Sequence, residues 1–425
     1  MNAPVTLAAD LVATRDAEAR AILHGNDRGG YSVPTAGLYP YQWNWDSAFA
    51  AIGYATYDLP RAWAEIETLL AAQWPDGMVP HIVFHKVDPG YFPGPDVWGG
   101  VGPVPSSGIT QPPIAASMVR LLCARDPAPA RTRLAPVYDA LLRWHRWFMA
   151  WRLDRDAVCV THPWESGRDN TPDWDGPMAA ITPRDLGAYQ RRDTGHVDAA
   201  MRPLKADYDR YLTLVAIGRE AGWDQSSLRE AMPFRVADPT MTFTLLRANR
   251  DLAALGRMLG RDVGEVEGWT DRLDAGAATL WNPNISSYDA RDVRTGRWAG
   301  CVSNASFLCW WAGLEAPQMH AQFDRVCAAV RYAVPSHDPE SPAYEPRRYW
   351  RGPVWAMLNM LIARGLDGQG HAAGAWLRAN TAQLIAENGF AEYFDPRDGA
   401  PAGGKDFTWT AAVWLAWASP SAEGG

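Results

Sequence analysis

Apolar residues recur at spacings of three and four along most of the chain, which predicts amphipathic helices. In the run LLRWHRWFMAWR this spacing places Trp144, Trp147 and Trp151 on one helix face, as in a core stripe. Strand-like alternation is scarce. The predicted helices cover 8–24, 46–57, 60–73, 111–124, 131–151, 205–222, 241–260, 263–281, 301–314, 317–333, 351–366, 369–388 and 407–418. Start signals precede three of them, formed by Asp58 and Pro60, Asp238 and Pro239, and Gly352 and Pro353.

Tight turns alternate with long loops along this helical series. The long segments are rich in Gly, Pro, Asp and Trp, and they cover 74–110, 152–204, 282–300, 334–350 and 389–406. Such alternation predicts an all-α fold, an (α/α)6 barrel in which helical hairpins form a toroid and long functional loops gather at one end. No linker, composition shift or convincing repeat divides the sequence, so we expect a single catalytic domain over residues 1–425.

The chain has 22 tryptophans, whereas average usage predicts about a quarter of that number. Several stand in loop-like sequence beside Asp, Asn, Gly and Pro, namely Trp43, Trp45, Trp164, Trp174, Trp350 and Trp355. Flat apolar rings next to hydrogen-bonding side chains suit sugars, whose rings have a C–H face and a rim of hydroxyls. The loops therefore predict a carbohydrate site.

Charge and cysteine content narrow the class of partner and the compartment. A net charge of -8 without a basic run disfavours a nucleic-acid or anionic-membrane partner and favours a small neutral or weakly anionic ligand. Five cysteines without a CxxC pair indicate reduced core thiols in a cytoplasmic protein. The N-terminus lacks the pattern of a signal peptide, and no apolar run is long enough to span a membrane.

The densest group of carboxylates lies in HPWESGRDNTPDWD at 162–175, which contains Glu165, Asp169, Asp173 and Asp175. A carboxyl group held against indole rings is desolvated, which raises its pKa as a general acid at neutral pH requires. The alternative is a loop whose Asp and Asn side chains cap turns.

A second carboxylate, Glu392, stands in the aromatic run FAEYF, where a solvated surface position is hard to explain. The alternative is an edge strand that turns this side chain to water. Glycoside hydrolysis needs two carboxyl groups in different environments, and Asp169 and Glu392 are the predicted pair. For an inverting enzyme we expect their carboxyl groups to lie roughly 6.5–9.5 Å apart, with room for water.

Six motifs spread over nearly the whole chain resemble the motif series of family-63 glycoside hydrolases. The closest resemblance is to the compact bacterial branch that hydrolyses mannosylglycerate and glucosylglycerate. The motifs are YPYQWNWDSAFAAIGYA at 39–55, QWPDGMVPHIVFH at 73–85, TQPPIAA at 110–116, HPWESGRDN at 162–170, YWRGPVW at 349–355 and EYFDPRDGAPAGGKDFTWTAA at 392–412.

The resemblance implies an (α/α)6 barrel and inversion at an α-linked anomeric carbon. It implies Asp169 of ESGRDN as general acid and Glu392 of EYFDPRDG as general base. It further implies that the glycosyl ring lies in a pocket lined by Tyr39, Trp43, Trp45, Asp46 and Gln111, and that the other side is closed by Tyr349, Trp350 and Trp355.

An acidic aglycone such as glycerate needs a cation. Arg202 matches an Arg before Pro in the resembling branch, and a guanidinium binds a carboxylate with two bonds. The alternative is an ion pair between Arg202 and Asp207 or Asp209 at a helix start. Arg168 is a weaker candidate, since a variable motif position often faces outward. His81 and His85 are further candidates for bonds to sugar hydroxyls, although isolated histidines are commonly structural.

The sequence therefore predicts a cofactor-independent hydrolase without a metal site, since it lacks HExxH, CxxC, EF-hand and phosphate-binding motifs. The predicted substrate is a small α-glycoside, either glucosylglycerate or mannosylglycerate. The alternatives are an α-glucosidase or trehalase-like enzyme for neutral disaccharides, a sugar epimerase or isomerase, and a non-catalytic sugar-binding protein. The choice between gluco and manno and the oligomeric state stay open from the sequence alone. Segments 86–108 and 395–406 are rich in Gly and Pro and flank His85 and Glu392, so we expect them to fold over bound sugar as lids. The alternative is a pair of inert surface loops.

Overall fold

A computed structural model describes residues 5–126 and 131–422. In chain order its α-helices α1 to α17 are Ala9–Asn26, Asn44–Tyr54, Leu59–Ala71, Pro95–Trp98, Ala115–Arg125, Arg131–Trp151, Asp175–Ala179, Asp193–His196, Lys205–Glu220, Gln225–Ala231, Pro239–Met258, Gly264–Ala278, Leu308–Ala312, Met319–Ala328, Ala356–Gly368, Ala373–Asn388 and Thr408–Val413. A π-helical turn, Trp414–Ala418, continues α17. The predictions of one domain over 1–425 and of an N-terminus without a signal peptide include residues outside this description.

Six of these helices form a closed inner ring, in which each packs on the next: α2, α5, α11, α13, α15, α17 and again α2. A second layer packs outside, with α3 on α2, α12 on α11 and α16 on α15. Trp310 of α13 contacts Phe323 of α14 in the same way. Within the part of the chain that the structure describes, this arrangement is the predicted (α/α)6 barrel.

The sequences of the helices explain which layer they occupy. All eleven residues of α2 are buried, and α15 is buried along most of its length, because apolar residues occupy most positions of both helices. The polar residues of α2, namely Asn44, Asp46 and Ser47, are buried as well. The outer helix α6 keeps a polar face, while Trp144 and Trp147 of the predicted core stripe are fully buried. Helical periodicity was thus a correct guide to the core.

Two of the three predicted helix starts are confirmed. The Asp58 carboxylate accepts from the Arg61 N–H, and Asp238 accepts from the N–H groups of Thr240 and Met241. The third is wrong, since α15 begins three residues beyond Pro353. Val354 instead pairs with Pro335 and Phe394 as extended backbone, which delays the helix.

The described residues include ten short strands, which form small sheets between the helices: Gln42–Trp43, Ile82–Val83, Leu153–Asp154, Ala157–Val160, Val236–Ala237, Trp281–Asn282, Ser287–Tyr288, Arg291–Asp292, Tyr393–Phe394 and Pro401–Ala402, numbered β1 to β10. The first two pair as an antiparallel ladder, β9 pairs with β10, β6 with β7, and β3, β4, β5 and β8 form a four-stranded sheet. The predicted helix over 301–314 is largely wrong, because residues 302–304 pair with 336–338 before α13 begins. Strands of two residues carry no periodicity to predict them.

All five cysteines are free, and four of them are buried. Burial raises the pKa of the Cys159 thiol to about 11, which keeps it protonated at neutral pH. No helix within residues 5–126 and 131–422 is long and apolar enough to cross a membrane.

Candidate active site

A cavity of about 830 Å³, measured out to its mouth, opens at the end of the barrel where the inner helices begin. Helices α2, α5 and α17 each start within a few residues of a side chain that lines it. Eleven predicted site residues line this cavity together: Tyr39, Trp43, Trp45, Asp46, His81, Gln111, Trp164, Asp169, Arg202, Tyr349 and Glu392.

The wall of the cavity that is predicted to contact the sugar is built on the β1–β2 ladder. Trp43 pairs with Ile82, and the backbone N–H of Asn44 donates to the carbonyl of His81 at 3.0 Å. The Gln111 side chain accepts from the N–H of Trp45 at 3.1 Å, in the first turn of α2. Tyr39 contacts the edge of the Trp43 ring, with 5.3 Å between centroids. Aromatic faces and fixed amides thus surround the space available to a sugar ring.

Four carboxylates stood out in the acidic loop, and the structure separates them. Glu165 forms a buried ion pair with Arg152, Asp173 pairs with Arg168, and Asp175 pairs with Arg351 at the surface. Asp169 lines the cavity, and its carboxyl group forms no ion pair with any described residue. The turn-capping alternative therefore does not account for this loop.

The backbone around Asp169 is held from several directions. Gly167 has a φ of +69° and lies against the Trp45 ring, where a Cβ would be 2.5 Å from a ring carbon. The Tyr211 hydroxyl donates to the Asp169 carbonyl at 2.8 Å. Burial raises the pKa of the Asp169 carboxyl to about 7, helped by the charges of Glu392 and Asp193 and opposed by Arg202. Near neutral pH this carboxyl group can carry a proton.

Glu392 lies just before β9 and is 1% exposed, so the water-facing alternative is wrong. Its carboxylate accepts from the Gly404 N–H at 2.8 Å, from the Tyr39 hydroxyl at 3.1 Å, and from Arg202 Nη1 at 3.4 Å. Gly403 has a φ of +72°, and a Cβ there would be 2.3 Å from Glu392 Oε2. Burial raises the pKa of Glu392 above its ordinary value, and Arg202 with the other donors opposes that rise.

Arg202 connects this carboxylate to a second one. Its Nε donates to Asp193 Oδ2 at 3.1 Å, its Nη2 donates to the Tyr39 hydroxyl at 2.6 Å, and the guanidinium lies 3.9 Å over the Tyr349 ring. The predicted alternative of an ion pair with Asp207 or Asp209 is wrong. Those carboxylates pair instead with Arg348 and Lys205.

Asp46 lies at the start of α2 and is 5% exposed. Burial, together with the charge of Glu392, holds the pKa of Asp46 well above its ordinary value. A protonated carboxyl group can donate a hydrogen bond as well as accept one. In a cavity of this kind, it is suited to a sugar hydroxyl.

Three predicted contacts are placed elsewhere. His85 Nε2 bonds to Gln42 Oε1 at 2.7 Å and its ring stacks on Tyr31, outside the cavity lining. Trp350 and Trp355 are fully buried and stack on each other with 3.8 Å between centroids. They support Tyr349, which does line the cavity, so their predicted place on its wall is corrected.

The variable motif position of Arg168 suggested that its side chain faces outward, but the structure places it inside the protein. It is fully buried and forms an ion pair with Asp173. Its Nη1 also lies 3.7 Å from Asp238 Oδ1. It does not line the cavity, so the idea that it binds an aglycone is corrected as well.

A second wall of the cavity was not predicted from the sequence. Arg191, Arg192 and Asp193 line it from the segment between α7 and α9, and Tyr91 and Phe92 line it from segment 86–108. Arg192 joins these two segments, since its Nη1 donates to Asp88 Oδ2 at 3.1 Å. The adjacent arginines were a visible signal, but nothing local placed them near Glu392. Segment 395–406 contributes the Gly404 N–H to Glu392 and does not line the described cavity.

Metal ligands do not gather at the site. No group of three or more His, Cys, Asp or Glu side chains among the described residues has the arrangement of a metal centre. The charges in the cavity instead alternate between carboxylates and guanidinium groups.

Comparison with known proteins agrees with this geometry. Residues 39–410 match the family described as the mannosylglycerate hydrolase MGH1-like glycoside hydrolase domain. The mannosylglycerate hydrolase MGH2 of Selaginella moellendorffii is 44% identical over 94% of this chain and 84% of its own length. The glucosylglycerate hydrolase of Mycolicibacterium hassiacum is 35% identical over 94% of this chain and 97% of its own length.

A solved structure shares the fold over most of the chain. It is the GH63 mannosylglycerate hydrolase of Thermus thermophilus in complex with Tris and D-glycerate, with a TM-score of 0.90 and 42% identity over 94% of this chain and 98% of that one. The family match covers every cavity residue from Tyr39 to Trp409. This chain is a glycoside hydrolase and belongs to the MGH1-like glycoside hydrolases of family 63.

Proposed function

We propose that this enzyme hydrolyses mannosylglycerate or glucosylglycerate with inversion, releasing the free sugar and glycerate. Asp169 acts as general acid and Glu392 as general base. The observation that carries the proposal is the contrast between these two carboxyl groups within one cavity. Asp169 has no ion-pair partner among the described residues and a pKa of about 7, whereas Glu392 is bonded to Arg202 and to a backbone N–H.

The contrast supports one direction of proton transfer. The Asp169 carboxyl group gives its proton to the glycosidic oxygen as the C1–O bond breaks. The Glu392 carboxylate takes a proton from the water that forms the new C1–O bond on the opposite face. Inversion follows because attack and departure occur on opposite faces, so the first product is the β-anomer. The carboxyl separation of roughly 6.5–9.5 Å stays a prediction.

Charge in the second wall favours an acidic aglycone over a neutral one. Arg191, Arg192 and Arg202 line the same cavity, and a guanidinium group matches the geometry of a carboxylate. The names of the relatives, mannosylglycerate hydrolase and glucosylglycerate hydrolase, agree with such a substrate. An epimerase that works through a pair of histidines is not supported, since the described lining residues include a single histidine, His81.

We further propose that one catalytic domain covers residues 1–425 and acts in the cytoplasm on this small glycoside, without nucleic acid as a partner. The five free cysteines support a reducing compartment. The closed helical ring, which runs from α2 to α17, supports a single folding unit.

A substrate panel tests the function. Mannosylglycerate, glucosylglycerate, glucosylglycerol, trehalose and kojibiose are incubated with the protein, and the released sugar is followed by NMR. We expect release from a glycosylglycerate, with the β-anomer appearing first and the α-anomer after mutarotation. Initial release of the α-anomer would contradict inversion. Release of sugar from the neutral disaccharides alone would support the trehalase-like alternative. Binding of a glycoside without release of sugar would support a non-catalytic sugar-binding protein.

The pH dependence of kcat/KM should be bell-shaped with its maximum below about pH 7. Activity should rise as Glu392 loses its proton above its raised pKa, and fall as Asp169 loses its proton near pH 7. Initial rates between about pH 4 and pH 9 measure both limbs, with circular dichroism at each pH as the control for unfolding. Activity that keeps rising beyond about pH 8 would contradict the assigned acid.

A further inference from the structure

Arg168 directly precedes Asp169, yet its side chain lies on the other side of the loop from the cavity. It is fully buried, whereas neighbouring Asp169 lines the cavity. Burial of an arginine is costly and does not by itself stabilise a fold more than apolar packing does. A buried ion pair next to a reacting carboxyl group therefore calls for a local explanation.

Arg168 forms hydrogen bonds with residues of its own loop that precede Asp169 and with residues that follow it. Its backbone N–H donates to Ser166 Oγ at 3.0 Å, before Asp169 in the chain. Beyond Asp169, its carbonyl accepts from the Trp174 indole at 2.7 Å, and its Nη2 donates to Thr171 Oγ1 at 3.1 Å and to the Asp173 carboxylate. Residues on both sides of Asp169 are thus joined through this one residue.

Arg168 then ties the loop to the barrel. Nη1 donates to Thr240 Oγ1 at 3.0 Å and lies 3.7 Å from Asp238 Oδ1, at the first turn of inner helix α11. Nη2 donates to Ser303 Oγ at 3.1 Å, in the segment that precedes inner helix α13. The frame that holds Asp169 is therefore attached to the start of inner helix α11 and to the segment that leads into inner helix α13.

We propose that Arg168 is a positioning residue for the general acid, holding the Asp169 carboxyl group at the distance and angle needed to protonate the leaving oxygen. This inference rests on the proposed function of Asp169. A backbone shift of about 1 Å is enough to cost about a hundredfold in rate when a reacting group is misplaced. Arg168 itself touches no substrate, so its loss should affect the protonation step rather than binding.

A glycosyl fluoride separates that step from the rest of the reaction. Hydrolysis of an α-glycosyl fluoride breaks C1–F, forms C1–O from water, and passes the proton of that water to Glu392. Fluoride leaves as an anion, so it depends far less on protonation than a sugar or glycerate oxygen does. The α-mannosyl and α-glucosyl fluorides therefore report water activation with little contribution from the acid.

The variants are Arg168→Gln, Arg168→Lys and the control Arg247→Gln. Arg247 lies on α11, which Arg168 contacts at its first turn; it forms an ion pair with Asp251 at 2.7 Å and lies outside the cavity. We expect Arg168→Gln to lower kcat on the glycosylglycerate by about a hundredfold with KM little changed, while fluoride hydrolysis stays within about threefold. Arg168→Lys should recover about tenfold of kcat, because an ammonium group can still pair with Asp173 or Asp238. Arg247→Gln should leave both activities within about twofold, whatever its effect on Tm.

Equal losses on both substrates with Arg168→Gln would overturn the inference, since they would show general damage to the site. Unchanged activity on both would overturn it as well. Asp169→Asn, assayed alongside, keeps the proposed function separate. If that variant also fails to discriminate between glycoside and fluoride, the assignment of the acid is wrong. If Asp169→Asn discriminates and Arg168→Gln does not, the assignment stands and the positioning role falls.

Discussion

Asp169→Asn is expected to lower kcat on the glycosylglycerate by about 10²–10⁴-fold, with little change in KM. An amide fills the same space but has no acidic proton for the leaving oxygen. Glu392→Gln should cause a loss of the same order, because an amide cannot accept the proton of the attacking water. The two variants should differ on α-glycosyl fluorides. Asp169→Asn should retain much of that activity, and Glu392→Gln should lose it. Steady-state kinetics on both substrates measure the difference.

The matched control for this pair is Asp175→Asn. Asp175 belongs to the same acidic loop, but its half-exposed side chain pairs with Arg351 away from the cavity. An exposed ion pair of this kind contributes about 0–1 kcal/mol to stability, so activity should change little. If Asp175→Asn lost as much activity as Asp169→Asn on the glycosylglycerate alone, the acid would have to be reassigned.

Arg202→Ala should reduce activity on glycosylglycerate more than on glycosylglycerol, which has the same shape without the charge. A lost charge-assisted contact of about 1.5–3 kcal/mol corresponds to about ten- to a hundred-and-fifty-fold in catalytic efficiency. The structure adds a loss common to both substrates, because Arg202 also bonds to Glu392 and lowers its pKa. The ratio of the two efficiencies therefore measures the aglycone contact, and the shared loss measures the effect on the base.

The comparison needs the acidic limb of the pH profile as its control. Without Arg202 the pKa of Glu392 should rise further, so activity on both substrates should begin at higher pH than in the wild type. If Arg202→Ala keeps the wild-type preference for glycosylglycerate over glycosylglycerol, another group, such as Arg191, binds the carboxylate of the substrate.

Features that depend on local pattern were predictable from the sequence. Most inner helices follow from the apolar pattern, whereas the extent of α13 and the start of α15 were predicted wrongly. Asp169 and Glu392 were singled out because each carboxyl group stands among aromatic residues. The prediction that His85 binds a sugar hydroxyl was wrong because its side chain bonds to Gln42, which lies 43 positions away across the β1–β2 ladder. The contact between Arg202 and Glu392 spans 190 positions and depends on closure of the whole ring. Such contacts are set by tertiary packing, and no local rule encodes them.

The junction between α17 and α2 has a consequence for biosynthesis. These two inner helices close the ring, and α17 also packs on α1, so the last helix meets the first two. A ribosome delivers α1 and α2 before Glu392 and Trp409, because these residues follow the two helices in the chain. Until then, the nascent chain is an open arc of helical hairpins with the apolar faces of α2 and α15 uncovered. Catalytic competence and completion of the fold therefore arrive together, and a chain truncated before α17 exposes aggregation-prone surface.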